Sequence, residues 1–447
     1  MAKKKQIELT IEEKLQNALV PKEEQPYKIP SNWCWTYIHN IAIVVTGKTP
    51  SKKNKEYYGG KFPFFKPADL DAGRNMQYAT EYLSEKGKSI SVIIPEKATG
   101  ICCIGTIGKC GYFLVEGTTN QQINTVISKI NPLYSYYFFN TNSFVRELIS
   151  KASATTIAIV NKSKLESCLF PVAPLNEQQR IVNRIESLFA KLDRAKELIE
   201  NTLAQWEQNK MAILHKAFTG ELTAKWRKEN NIDLSSWEKI KLGKVLLPMQ
   251  TKKPTGQFFR YIDIDAIDNK RQIVKAPKLI LTEKAPSRAS RGVETGNILF
   301  SMVRPYLKNI AQIDSDLSDC IASTGFYVCR CKPELNSRFL YYLFIFDKTI
   351  DYLMQFMKGD NSPSIRKDDL LNMKIDLPTI EEQQEIVNIL DNLLAKYNKI
   401  KNLEQQLEKI ELLKKAILAK AFRGELGTNN PDEESAENLL KEILAEK

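Results

Sequence analysis

Pro174-Leu-Asn-Glu-Gln-Gln-Arg-Ile-Val182 returns as Thr379-Ile-Glu-Glu-Gln-Gln-Glu-Ile-Val387, 205 residues later. A second block behaves the same way. Ile213-Leu-His-Lys-Ala-Phe-Thr-Gly-Glu-Leu222 reappears as Ile417-Leu-Ala-Lys-Ala-Phe-Arg-Gly-Glu-Leu426 at an offset of 204, so one residue is lost between the two blocks. Two blocks repeated in the same order mark a duplicated half of about 200 residues.

Each copy reads as one long helix. In the first, apolar or small residues fall at Ile181, Ile185, Leu188, Leu192, Ala195, Ile199, Thr202, Trp206 and Ile213. In the second they fall at Ile386, Ile389, Leu393, Ile400, Leu403, Leu407, Ile410 and Ile417. Steps of three and four give the heptad seam of a coiled coil. Neither run is broken by proline or glycine. Thr379 with Glu382 has the spacing of a capping box, as does Asn176 with Gln179. Gly220 and Gly424 stand where a left-handed residue ends a helix. About 40 residues at 1.5 Å each make a rod of roughly 60 Å. Two helices with one apolar stripe each bury those stripes most simply against one another, and a pseudo-twofold axis between the halves makes them antiparallel.

The blocks before each helix, about 28–170 and 230–375, mix short strand-like runs with loops. Trp33 and Trp237 align at an offset of 204, and Gly100-Ile-Cys-Cys-Ile104 parallels Gly296-Asn-Ile-Leu-Phe300. Elsewhere the blocks diverge, while the helices kept their sequence. A rigid spacer carrying two different globular readers fits that contrast.

Loops rich in amide, hydroxyl and cationic side chains suit base edges and phosphates. In the first block the candidates are Lys48, Thr49, Ser51, Lys52 and Lys53, then Lys66, Thr106, Lys109, Asn120, Gln121, Gln122, Ser153, Thr155 and Lys162. In the second they are Gln250, Lys252, Lys253, Arg260, Tyr261, Arg304, Tyr306, Ser323 and Thr324, then Asn361, Ser362, Arg366 and Lys367. The first block holds two arginines, Arg74 and Arg146, and the second holds eight. Since arginine is the commonest specific reader of guanine, the second block is expected to read the more guanine-containing sequence.

Composition narrows the class. With 65 Lys and Arg against 53 Asp and Glu, the net charge of +12 favours a polyanionic partner, nucleic acid first. The longest apolar run, Phe339 to Phe346, is too short to span a bilayer. Met1-Ala-Lys-Lys-Lys5 leads into no apolar stretch of signal-peptide length, so a cytoplasmic protein is expected. Eight cysteines with no CxxC pair, and only His39 and His215, offer no zinc spacing. Gly105, Gly108 and Lys109 approach a phosphate loop, but Cys103 and Cys110 occupy the positions that a Walker A motif needs as Gly and Ser or Thr. No adenine-methyltransferase motif and no nuclease cluster is found, which favours a binding or targeting protein.

On these blocks the chain resembles the DNA-specificity (S) subunit of type I restriction–modification systems. The two Glu-Gln-Gln-x-Ile-Val helices ending in Lys-Ala-Phe-x-Gly-Glu-Leu carry the likeness, with Thr10-Ile-Glu-Glu-Lys-Leu15, Ile29-Pro-Ser-Asn-Trp33 and the Gly-Lys-Thr-Pro-Ser loop at 47–51. The resemblance implies an α+β chain: two mixed α/β target-recognition domains separated by two long antiparallel coiled-coil helices. The expected division is a helical extension (1–27, capped at Thr10 with Glu13), recognition domain 1 (28–172) and spacer helix 1 (173–228). Recognition domain 2 (229–376), spacer helix 2 (377–426) and an acidic amphipathic tail (427–447) follow.

The resemblance further implies that each domain reads half of an asymmetric site in double-stranded DNA. The helices would set the half-site spacing and dock two adenine-methyltransferase subunits, which restriction/translocase subunits join. S-adenosylmethionine, magnesium and ATP would belong to those partners, and this chain would bind no cofactor and catalyse nothing. Two other readings stay open: a coiled-coil interaction scaffold without DNA specificity, and an orphan specificity subunit serving recombination-driven switching.

Overall fold

The computed structural model describes residues 9–153 and 158–446, the side chains of 396–402 aside. Thr155 and the Ile400 side chain therefore lie outside the described residues. The chain forms two compact units, 1–198 with 405–447, and 199–404. Four helices matter most: α1 (Ile11–Ala18), α2 (Leu175–Phe218), α3 (Ile380–Ala421) and α4 (Ala436–Ala445). The division between units falls inside both α2 and α3.

In the first unit a four-stranded antiparallel sheet runs in the order Ala42–Thr46, Ile123–Ser128, β1 (Thr99–Cys102), β2 (Cys110–Tyr112). A three-stranded sheet orders Glu81–Leu83, Tyr58–Phe65 and Thr118–Thr119, the last pair parallel. Cys34–Tyr37 pairs antiparallel with Leu169–Val172. The Pro132–Phe139 helix is apolar on all sides and is accordingly buried. Asn131 caps it, accepting from the Leu133 and Tyr134 amides at 3.0 and 3.1 Å. Phe138 meets Phe170 at 4.6 Å between ring centroids, and Phe422 from the end of α3 closes on Tyr134 at 4.9 Å.

The chain's two ends meet in this unit. Thr10 and Glu13 form the expected capping box on α1, and α4 buries Ala436, Leu440, Ile443 and Leu444. Lys441 reaches Glu12 at 2.9 Å, and the Ala436 amide donates to the Asn32 carbonyl at 2.9 Å. The amphipathic tail docks on its own chain.

The second unit repeats the plan. Leu246–Leu247, Phe326–Cys331, β3 (Ile298–Ser301) and β4 (Ile310–Gln312) follow the same antiparallel order, strand for strand. A second sheet orders Lys278–Leu281, Phe258–Ile262, Ile321–Ser323 and Ala289–Gly292, with the middle pair parallel. Glu238–Lys241 pairs with Lys374–Leu377 as its counterpart does in the first unit.

The long helices run antiparallel wherever a unit contains both. In the first unit Asp193 pairs with Lys414 at 2.5 Å and Lys196 with Glu411 at 3.3 Å, so the numbering rises on one helix as it falls on the other. In the second, Leu214 and Ala217 of α2 share a core with Ile386, Val387 and Leu390 of α3. Of the seam residues, Ile181, Ile185, Ile386 and Ile410 are buried; Leu188, Leu192, Ile199, Trp206, Ile213, Leu393, Leu403, Leu407 and Ile417 are half-buried. A two-helix pair covers only one side of each knob, and full burial comes where a globular core also closes on the helix.

Two helix ends differ from expectation. Asn176 lies inside α2, whose first turn is closed by the Gln178 amide on the Pro174 carbonyl at 2.9 Å, so Asn176 and Gln179 form no capping box. At α3 the box is half made: Thr379 Oγ1 accepts from the Glu382 amide at 3.4 Å, but the Glu382 carboxylate turns into the protein. Both motifs are committed to side-chain contacts instead of caps. Gly220 and Gly424 take the expected left-handed conformation, with φ of 80° and 74°.

Candidate nucleic-acid interface

The repeated Glu-Gln-Gln is the joint between each globular domain and its helix. Trp33 Nε1 donates to Glu177 Oε2 at 2.7 Å, and Trp237 Nε1 donates to Glu382 Oε2 at 2.9 Å. Gln178 accepts from the Asn131 amide at 3.0 Å and donates to the Ala173 carbonyl at 2.8 Å. Gln383 does the same with Asn336 and Pro378. The second glutamine of each motif, Gln179 or Gln384, takes the Nδ2 of that same asparagine at 2.9 Å. Buried polar groups are retained where each finds a partner, which accounts for the survival of this motif in both halves.

Two turns further on, Glu186 accepts from Tyr137 Oη at 3.3 Å and pairs with Arg74. Asp391, at the equivalent position, accepts from Tyr342 and from Arg338 Nε and Nη2 at 3.0 and 2.9 Å. Carboxylates on the helices thus hold tyrosines and arginines of the domains.

Each joint leaves a row of loops at one edge of its sheets. In the first unit the Lys48 amide donates to the Thr119 carbonyl at 2.9 Å, and Thr49 Oγ1 donates to Gln121 Oε1 at 2.5 Å. The approach requires glycine at 47, where a Cβ would lie 2.2 Å from Thr119 Oγ1. Next along, the Cys103 amide donates to the Gln122 carbonyl at 2.8 Å, and Ile104 bridges Ile159. Loops 47–53, 119–122 and 103–109 therefore adjoin, with Ser153 and Ile159 beside them. Lys48, Ser51, Lys52, Lys53, Thr106, Gln121 and Ser153 stand exposed along them.

The second unit assembles a matching row. Gln250 accepts from the Gly292 amide, and the Lys252 amide donates to the Ser290 carbonyl, at 3.0 and 3.1 Å. The Thr324 amide donates to the Arg288 carbonyl at 2.9 Å, and the Met302 amide to the Gly325 carbonyl at 2.9 Å. Val303 bridges Ser364. Gln250, Lys252, Lys253, Thr324, Arg304, Tyr306, Asn361, Ser362, Arg366 and Lys367 are exposed.

Several expected contact residues lie elsewhere or point inward. Tyr261 and Ser323 are buried in neighbouring strands, and Asn120 is turned in toward Gln122. Lys66 is paired with Glu81, Lys109 with Asp71 at 2.7 Å and Lys162 with Glu166 at 3.6 Å. Arg260 is occupied by the Asp316 carbonyl at 2.6 Å and Asp319 at 3.4 Å, away from the row. Arg288, exposed beside Thr324, belongs to the row and was not singled out for it. Asn131 with Asn336 and Tyr137 with Tyr342 were also missed as joint residues, although both recur at the offset of 205 already seen in the helices.

All eight cysteines are free, and all but Cys331 are buried. Burial holds the Cys329 thiol well above its ordinary range and pushes Cys331 up to about 12. Among the described residues no group of three or more His, Cys, Asp or Glu is placed to hold a metal, and no helix is long and apolar enough to cross a membrane.

Two mixed α/β domains of similar topology, each joined to a long helix by the same buried motif, make this a duplicated chain. Residues 30–204 and 237–412 each match the type I restriction modification DNA specificity domain, and the chain belongs to that family.

It is 23% identical to the type I restriction enzyme EcoDI specificity subunit of Escherichia coli, over 94% of this chain and 96% of that one. It is 27% identical to the EcoBI specificity subunit of the same organism, over 73% of this chain and 75% of that one. Among solved structures, a chain described with the assembly and conformational transition of the type I R-M system gives a TM-score of 0.69 at 19% identity, covering 90% of this chain and all of that one. The HsdS subunit from Thermoanaerobacter tengcongensis gives 0.54 at 20% identity over the same shares.

Proposed function

We propose that the chain is the targeting subunit of a type I restriction–modification complex, with each domain reading one half of an asymmetric bipartite site in double-stranded DNA. One observation carries this reading. The same row of loops forms at the same sheet edge in both domains, yet its side chains differ. A shared frame with different contacts is what two different half-sites require. Lysines and main-chain amides of the rows hold phosphates, and amide and guanidinium side chains read base edges.

The helix pair acts as the ruler, because a fixed rise per residue converts helix length into distance along the duplex. It also carries two adenine-methyltransferase subunits, to which restriction/translocase subunits attach. In this scheme the chain is non-catalytic and works in the cytoplasm. S-adenosylmethionine, magnesium and ATP are bound by its partners. The family membership and the net charge of +12 support the DNA-binding part of the reading.

Methylome sequencing of a host expressing the chain with its methyltransferase subunit, against that subunit alone, tests the proposal. A bipartite motif methylated at adenine on both strands, present only with the chain, is expected. No new methylation from a co-purifying, active complex would overturn it in favour of a protein-interaction scaffold.

A further inference from the structure

The loop joining β3 to β4 holds two residues in a conformation that suits glycine. Arg304 has φ 48° and ψ 58°, and Lys308 has φ 49° and ψ 45°, on either side of the short turn Pro305–Leu307. The topologically equivalent loop between β1 and β2 uses glycines for the same purpose, Gly105 at φ 81° and Gly108 at φ 88°. The companions match as well: Ile104 bridges Ile159 and Ser153 bridges Ile159 in one unit, while Val303 bridges Ser364 and Lys358 bridges Ser364 in the other. One backbone design is thus built with glycine in the first domain and with cations in the second.

Lys308 has a structural reason to be there. Its Nζ donates to the Ile345 carbonyl at 3.1 Å and pairs with Asp347, tying the loop to the helix behind it. Arg304 has no such reason. Its amide donates to the Pro363 carbonyl at 2.8 Å, a bond that any residue could make. Its side chain spends one donor, Nη2, on the Asn361 carbonyl at 2.8 Å. That leaves most of the five N–H donors of a guanidinium in the open, and among the described residues no carboxylate neutralises it.

Left-handed non-glycine residues are strained, and they concentrate at functional sites. Tyr306, Asn361 and Ser362 of the same two adjoining loops are exposed as well. Among the described residues, Gly105, its counterpart, has open space where a Cβ would stand.

We propose that Arg304 is the guanine-reading residue of the second domain, its fork meeting the paired O6 and N7 acceptors of one guanine in the major groove. The inference rests on the function proposed above and adds the base and the residue. The bond to Asn361 fixes the fork in advance, so little rotamer freedom is lost on binding. The first domain, with Gly105 at the same corner, brings main chain and Thr106 to the DNA there and reads no guanine with this loop.

Arg304→Gly separates function from folding, since glycine adopts this backbone without strain. The full chain is co-expressed with its methyltransferase subunit and methylated adenines are mapped, with Arg304→Lys alongside. A wild-type motif with a fixed guanine in one half is expected. In Arg304→Gly that guanine becomes any base, with at least a tenfold loss of discrimination, while the other half-site is unchanged and the melting temperature is not below wild type. Arg304→Lys keeps the charge, loses the fork and relaxes the same position.

Retention of the full motif by Arg304→Gly overturns the inference. So does equal loss at both halves, or a wild-type motif with no guanine in the affected half. A wild-type chain that directs no bipartite methylation overturns the proposed function itself, which is a different result.

Discussion

Arg227 pairs with Glu382 in the interior, the two side chains being 8% and 0% exposed. Glu382 also takes Thr223 Oγ1 at 2.6 Å and the Trp237 indole, so its charge is fully held. Removing one partner of a buried pair strands the other. Arg227→Ala should destabilise the second unit by about 3–5 kcal/mol, read as a fall in the denaturant midpoint. Among the described residues, the donors to Glu177, the repeat counterpart, are neutral: Trp33, Asn429 at 2.8 Å and Thr428 at 3.4 Å. Glu177→Gln should therefore cost less than Glu382→Gln, and the reverse order would refute this account.

Gly47→Ala should move the lysine loop without unfolding the domain. A methyl group there collides with Thr119 and with the Asn120 carbonyl, the latter 2.3 Å away. A loss of about 1–3 kcal/mol in stability is expected. The assembled complex should also discriminate less well at one half-site. Unchanged discrimination would show that the 47–53 loop does not contact DNA.

Deleting one heptad from both α2 and α3 should shorten the ruler by about 10 Å, or roughly three base pairs. The methylated motif should then carry a shorter spacer. A deletion mutant that folds and keeps the original spacer would show that the helices do not measure it.

The tail should loosen in acid. Arg180 donates to both Glu433 carboxylate oxygens, at 2.6 and 2.7 Å, and these bonds hold the Glu433 carboxyl below its ordinary value. A depressed carboxyl stabilises the fold above its unfolded value, and that contribution is lost as pH falls through the lowered one. The stability difference between wild type and Glu433→Gln should be present near neutrality and shrink as pH is lowered below about 4.5. A difference that grows in acid would contradict the assignment.

The helices were legible because heptad spacing and the 205-residue offset are local and repeated. The sheets were not. Strand order depends on pairings between distant segments, which the diverged blocks do not spell out. The loops that form each row could be found, since turn chemistry is written in neighbouring residues. Which loops adjoin could not, because sheet order decides that. Tyr261 and Ser323 show the difference: both are polar residues that read as loop, but pairing of Tyr261 with Ile321 and of Ser323 with Ala289 puts them inside a sheet. The joint was half visible in Trp33 and Trp237, yet Glu382 reads in the sequence as part of a helix cap and Glu177 carries no signal of its own.

Phe422 and α4 complete the core of a unit whose first strands lie near residue 34. The second unit, by contrast, is one continuous stretch from 199 to 404. On the ribosome this inverts the usual order, in which the amino-terminal domain matures first. The later-made unit has all its residues at hand while the earlier one still lacks its closing piece. A message cut short between residues 404 and 422 would yield a finished second reader and a first one that stays open to proteases, which limited digestion of such truncations would reveal.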